Sequence, residues 1–240
     1  MSLSVSDFKK LYRISFSKAC KSYEEEAVLQ KESAKTISNI AKSYFGLGLD
    51  CGSGTCFLKD YLPDKDIISL DISKSMVDIC RHKGYKAVVG DIENLPFKDN
   101  TFDYCLSNFS LHWTDLNLAF KEINRTLKEG GHIIFSIPVF GSLKAIEDVL
   151  GKTFFHFETE EDVIKKVSEY FKIKDSFKRE LKMVFKDGLS LLRHLHNTGT
   201  AVNPKDLSIG EKIKIVKSFS DYKNQIALNF TLLYVEAIKS

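Results

Sequence analysis

Between residues 44 and 138, short apolar runs alternate with stretches that suit helix, and this alternation restricts the fold more than any other feature of the chain. The runs at 45–50, 67–71, 87–90, 101–107 and 132–137 are brief and rich in aliphatic residues. The segments 55–61, 73–83 and 116–127 carry helical spacing instead, the last with Glu129-Gly130-Gly131 as an expected glycine stop. Strands that are apolar on both faces and separated by helices make βαβ units, and so a parallel sheet covered on both sides. The expected class is α/β: a doubly wound, mostly parallel seven-stranded Rossmann-like sheet with N-terminal helices and a C-terminal helical lid.

The flanks complete that reading. Residues 16–43 suit helix, with Ala27, Leu29, Ala34, Ile37 and Ile40 at three- and four-residue steps. After Pro138 the alternation fades: 159–170 and 187–197 look helical, 172–185 is mixed and strand-like, and 224–238 reads as a last strand. The expected organisation is a single domain over 1–240, divided into an N-terminal helical segment (1–43), a ligand-binding core (44–138) and a lid that completes the sheet (139–240).

Composition excludes several classes. With 43% hydrophobic and 28% charged residues, 240 residues can bury a sizeable core, so wholesale disorder is out. No apolar run approaches the ~18 residues of a membrane span, and the first sixteen residues lack the apolar stretch and cleavage site of a secretory signal. The five cysteines form no C-x-x-C pair, which argues against both a disulfide framework and a zinc site. The chain reads as a cytoplasmic protein without metal, membrane or nucleic-acid partner, and a monomer is favoured. Its net charge of +3 comes from scattered lysines. Lys9, Lys10, Lys18 and Lys21 nevertheless leave room for a basic face that meets an acidic partner.

Three strand tips carry chemistry. Leu49-Asp-Cys-Gly-Ser-Gly-Thr-Cys56 places Gly52 and Gly54 where a tight turn lets backbone approach a ligand, while Phe57 stands where a dinucleotide fold needs a third glycine. Asp71 ends the second strand and can accept hydrogen bonds from both ribose hydroxyls of an adenosine ligand. In Gly90-Asp-Ile-Glu-Asn-Leu-Pro-Phe97, Asp91 suits an adenine amino donor, and the Ile92 backbone N–H suits the ring nitrogen beside it. Signals at the tips of successive parallel strands share one edge of the sheet.

The order of these motifs, followed by Phe102-Asp and Ser107-Asn108 with Trp113, resembles the class I S-adenosylmethionine-dependent methyltransferases over about residues 44–138. The resemblance implies S-adenosyl-L-methionine as cofactor, held by Asp50, Gly52, Gly54, Asp71, Ile72, Asp91, Ile92 and Asn108. Cys56 replaces a glycine common in that family. Across nearly the whole chain the sequence is most similar to the malonyl-[acyl-carrier protein] O-methyltransferases of biotin synthesis. The matching stretches are Phe16-Ser-Lys-Ala-Cys-Lys-Ser-Tyr23, Ser107-Asn-Phe-Ser-Leu-His-Trp113, Phe140-Gly-Ser-Leu143 and the segment from Leu189 to Thr200, with its Arg193-to-Gly199 element. Lys18 stands where those enzymes usually have arginine, and His196-Asn-Thr-Gly199 replaces a lysine- and glycine-rich version.

That resemblance implies esterification of the free carboxylate of a malonyl thioester, presented on acyl carrier protein or as malonyl-coenzyme A. A carboxylate is ionised at pH 7 and needs no general base, so alignment is the main requirement. Arg193 is the expected grip on the carboxylate, because a guanidinium fork holds it at two points. Tyr23 is expected to close over the sulfonium or hydrogen-bond the substrate, with an N-terminal helix anchor as the equal alternative, and Lys18, His112 and Trp113 to line the substrate mouth. Two further readings stay open: methylation of another small acid or a quinone precursor, and a non-catalytic cofactor-binding subunit. Cys51 and Cys56 are expected to be small buried fillers.

Overall fold

A computed structural model describes residues 23–150, 156–198 and 209–239. Its elements run α1 (Val28–Ala41), β1 (Leu47–Cys51), α2 (Phe57–Tyr61), β2 (Asp66–Asp71), α3 (Lys74–His82), β3 (Ala87–Val89), β4 (Phe102–Asn108), a 3-10 turn (Leu111–Trp113), α4 (Leu116–Thr126) and β5 (Leu127–Pro138). The second half adds α5 (Lys144–Leu150), α6 (Glu160–Ser168), β6 (Lys172–Phe185), α7 (Gly188–Asn197), α8 (Ile209–Asp221) and β7 (Ile226–Ile238). One seven-stranded sheet runs β3-β2-β1-β4-β5-β7-β6. Its first five strands are parallel, and β7 lies antiparallel between β5 and β6. The expected class is the observed one.

Side chains alternate across the sheet and supply a core on each face. In β4, Tyr104 and Leu106 join Ile37, Leu58 and Tyr234 on one face, while Cys105 joins Phe120, Ile123 and Phe135 on the other. Helix α4 shows why such segments coil. Leu116, Ala119, Phe120 and Ile123 are buried at helical spacing, and the Asp115 carboxylate caps the start by accepting the Asn117 (2.9 Å) and Leu118 (3.3 Å) N–H groups. Among the described residues, no helix is long and apolar enough to cross a membrane.

Two expectations need correction. Glu129-Gly130-Gly131 does not stop a helix in a loop: α4 passes at Leu127 straight into β5, which contains both glycines. A Cβ on Gly131 would lie 2.8 Å from the Lys128 carbonyl oxygen, so close packing rather than capping requires glycine there. The cysteines also do more than fill space. Cys56 and Cys80 form a disulfide, their Cα atoms 5.8 Å apart, although they are separated by 24 residues and match no spacing motif.

That crosslink ties the turn after β1 to α3. By loop-closure entropy it should stabilise the oxidised protein by about 3 kcal/mol. Chemical denaturation with and without reductant checks this: the midpoint should fall on reduction, and Cys80→Ala should show no reductant dependence. A wild-type midpoint indifferent to reductant would overturn the assignment.

Candidate active site

The carboxyl ends of β1, β2 and β4, with the segment after β3, surround a cavity that opens to solvent. Its lining includes Asp71 at the end of β2, Gly90, Asp91 and Ile92 after β3, and Asn108, Ser110, Trp113 and Thr114 at the end of β4 and in the turn beyond it. A second hollow, lined by Asp50, Gly52, Ser53 and Asn108, adjoins the first through Tyr23, Gly52 and Gly54. Parallel strands reversing order beside β1 create such a crevice, and βα turns bring backbone N–H groups to it.

Asp50 is the most telling residue of the site. It is buried at 1% exposure, and neither carboxylate oxygen has a hydrogen-bond partner among the described residues. Burial, with the negative charge of Asp71 nearby, pushes its pKa up to about 8. An uncompensated buried carboxyl is costly unless a ligand supplies the missing donors or a positive charge. An amino acid's ammonium meets both needs.

The turn between Asp50 and α2 is shaped by glycine. Gly52 has φ +72°, and its N–H donates to the Leu70 carbonyl at 2.8 Å. A Cβ here would sit 2.3 Å from the Ser110 Cβ. Gly54 (φ +52°) passes beneath the Tyr23 ring, which stacks on Phe57 with centroids 5.9 Å apart. Burial raises the Tyr23 pKa, so its phenol stays neutral.

Asp71 accepts the Gly54 N–H at 2.9 Å and the Ser73 N–H at 2.8 Å, one on each oxygen. It therefore locks the glycine turn to the start of α3 while keeping lone pairs for a ligand. Ser73 stands at the N-cap, yet its side chain makes no capping bond. Asp91 similarly organises its own turn by accepting the Glu93 N–H at 3.0 Å.

Tyr23, Gly52, Gly54, Asp71, Ile72, Asp91, Ile92, Asn108 and Trp113 thus surround the main cavity, with Asp50 in the adjoining hollow. His112 lies behind Trp113, their ring centroids 4.6 Å apart. Burial lowers its pKa to about 3, so the imidazole is neutral. Arg193 is exposed on α7 and is not among the residues lining the cavity. Its neighbour His194 turns inward, where its Nδ1 lies 2.8 Å from Glu26 Oε2, and the Asn197 amide donates to Glu26 Oε1 at 3.1 Å. These bonds tie the helix bearing Arg193 to the turn bearing Tyr23. Lys18 falls outside the described residues.

Sequence reasoning missed Met76, Phe109, Ser110 and Thr114 as cavity residues. Ser110 had one legible signal, its place three residues after Ser107 beyond a strand tip. Both hydroxyls lie within hydrogen-bond distance of the Cys51 carbonyl, Ser107 at 2.9 Å and Ser110 at 2.8 Å, and 2.6 Å from each other, so one donates to the carbonyl and the other donates either to it or to its neighbour.

The arrangement agrees with comparisons to known proteins. Residues 49–135 match the model of a methyltransferase domain. A malonyl-[acyl-carrier protein] O-methyltransferase of Hamiltonella defensa is 30% identical over 241 aligned residues, covering 91% of this chain and 90% of that protein. The same-named protein of Herminiimonas arsenicoxydans is 32% identical, but that match spans only 62% of its length. Among solved structures, a Thermotoga maritima S-adenosylmethionine-dependent methyltransferase superposes with TM-score 0.61 at 20% identity, covering 95% of this chain and all of that one. The YcgJ protein of Bacillus subtilis gives 0.65 at 16% identity, over 87% of this chain and 98% of its own. The lone buried carboxyl, the glycine turn and the two tip acids fit S-adenosylmethionine, the cofactor of this fold, and the chain belongs to the S-adenosylmethionine-dependent methyltransferase family, among the relatives of the malonyl-[acyl-carrier protein] O-methyltransferases.

Proposed function

We propose that the chain transfers a methyl group to the free carboxylate of a malonyl thioester borne by acyl carrier protein, with malonyl-coenzyme A as the smaller surrogate, in the cytoplasm. The observation that carries this reading is the reach of the Hamiltonella defensa match. At 91% of the chain it extends beyond the cofactor core into the segments that flank the cavity.

The chemistry asks little of the protein beyond placement. S-adenosylmethionine supplies an electrophilic methyl on a sulfonium. Asp50 would hold the ammonium of its amino-acid portion, Asp71 its ribose, and Asp91 with the Ile92 N–H its adenine. The acceptor carboxylate is already a nucleophile at neutral pH. Catalysis then comes from alignment within a cavity that Tyr23 covers and Trp113 walls. Arg193 and Lys18 are the candidate countercharges for the acid, with His112 supporting the Trp113 wall.

Mass spectrometry of malonyl-loaded carrier protein, after incubation with enzyme and cofactor, should show the malonyl arm heavier by one methyl group. Free diacids and quinone precursors should remain unmodified. Cofactor binding without transfer to any of these acceptors would favour a non-catalytic subunit. In the same assay Arg193→Ala should lower turnover by about tenfold or more while cofactor affinity stays intact, and Arg193→Lys should recover part of it. Near-normal turnover by the alanine variant would leave Arg193 as an ordinary exposed side chain.

A further inference from the structure

The turn that bears Tyr23 is held from two directions by two of its acids. Residues 23–26 are helical, and the Ala27 N–H closes the turn on the Tyr23 carbonyl at 2.9 Å. At about 100° per helical residue, Glu24 and Glu26 point roughly 200° apart and so reach different elements. Glu24 pairs with Lys83, just after α3. The same ammonium donates to the Thr55 carbonyl oxygen at 2.8 Å and to Asp60 Oδ2 at 3.0 Å. Glu26 reaches α7 instead, with one oxygen 2.8 Å from His194 Nδ1 and the other accepting the Asn197 amide at 3.1 Å.

The two attachments differ in strength. Glu24 is 42% exposed, and an ion pair this open to water contributes little by itself. His194 is 6% exposed and packs against the Phe185 ring, their centroids 5.0 Å apart, so its ring nitrogen needs a partner inside the protein. The hydrogen bonds from Asn197 and His194 hold the Glu26 carboxyl below the usual carboxylate range, and it stays ionised at neutral pH. Between the attachments stands Tyr23. It lines both the cavity and the adjoining hollow, as do Gly52, Gly54 and Asn108, and of these four it alone lies outside the core at 44–138. Its ring therefore covers the junction of the two parts of the cofactor site.

We propose that Glu26 is a positioning residue for cofactor retention: by fastening the Tyr23 turn to α7, it makes the lid half of the chain hold the aromatic cover down over bound S-adenosylmethionine. Without Glu26 the turn keeps its exposed Glu24–Lys83 pair and the stacking of Tyr23 on Phe57. The ring then lifts more often. A cover acts on a ligand that has already entered, so the effect falls on dissociation more than on association. Glutamine at this position can keep both contacts, because its oxygen accepts from Asn197 while its NH₂ donates to His194 Nδ1 in the other imidazole tautomer. Alanine keeps neither.

The inference rests on the cofactor placement given above, and a set of variants separates the two. Trp113 is the only tryptophan of the chain and lines the cavity, so its fluorescence follows S-adenosylhomocysteine binding in stopped flow. Glu26→Ala should weaken binding about tenfold, through dissociation about tenfold faster and association within about threefold of wild type. Glu26→Gln should stay within about threefold. Tyr23→Ala should weaken binding by more than Glu26→Ala does, and adding Glu26→Ala to it should cost no more than about a further twofold, because the cover is already gone. A purely structural role would instead multiply the two losses. Should Glu26→Ala fail to fold, Asn197→Ala removes one bond from the α7 side and carries the same test: about threefold weaker binding, absent when Tyr23 is alanine. Unchanged dissociation in Glu26→Ala, or losses that multiply in the double variant, would overturn the role of Glu26 alone. Normal binding by Tyr23→Ala would show that the cofactor does not lie beneath that ring, and would remove the placement together with this inference.

Discussion

Gly52→Ala is expected to cost the protein about hundredfold in cofactor affinity, together with a clear loss of stability. Two effects act at one atom. The backbone has φ +72°, a region that costs a residue with a side chain about 1 kcal/mol. The new methyl would also lie 2.3 Å from the Ser110 Cβ, which no rotamer change removes. Ser110 has little freedom to retreat, because its hydroxyl is held by the Cys51 carbonyl at 2.8 Å and by Ser107 at 2.6 Å. Overpacking of this kind costs about 1–3 kcal/mol, so the sum reaches about 2–4. Adding Ser110→Gly should recover the collision and leave the backbone strain, which a double-mutant cycle on cofactor affinity separates. If Gly52→Ala binds within about threefold of wild type, the turn relaxes freely and its glycine is not required.

Cofactor affinity should also climb steeply between pH 6 and pH 8. The Asp50 pKa of about 8 means that the ligand-free protein holds a proton there at neutral pH, whereas pairing with an ammonium requires the carboxylate. Binding must therefore expel a proton, and affinity should rise by up to about tenfold per pH unit as that need lapses. Titrations in buffers of different ionisation heat would count the proton. The stability of the ligand-free protein should move oppositely. The folded pKa lies above the unfolded value of about 3.9, so the folded state binds more protons across that window. Asp50 then costs up to about 1.4 kcal/mol per unit as pH rises from about 4 to 8. Asp50→Asn should flatten both profiles. An affinity indifferent to pH in the wild type would mean that Asp50 is already ionised and paired.

The strands and their tips were legible because both rest on local patterns. Five parallel strands needed apolar runs, and the ligand edge needed an acid or a glycine where each run ended; Asp50, Asp71 and Asp91 announce themselves in that way. What escaped depended on distant partners. Helices α5 and α8 both lie within 139–240, after the alternation of strands and helices has faded. Cys56 finds Cys80 only because the turn after β1 packs on α3. Ser33, Ser136 and Tyr234 look like unremarkable residues on three separate elements, and only the closed sheet aligns their hydroxyls.

The position of β7 has a consequence for the order in which the molecule forms. This strand separates β5 from β6 and sends Leu232 and Tyr234 into one core and Leu233, Val235 and Ala237 into the other. It pairs with β5, about a hundred residues earlier, from His132↔Ile238 to Pro138↔Leu232. Until 226–238 has been synthesised, β5 has an open edge and both cores lack part of their wall. Contacts this distant are slow to form, because the loop entropy is lost before the pairing compensates it. The parallel half can gather early around β1 and β4, but it matures late, when the antiparallel strand slides into the gap. Because the Tyr234 hydroxyl donates to Ser33 Oγ at 3.0 Å and Ser33 to Ser136 Oγ at 2.9 Å, closing the sheet also fastens α1 to β5.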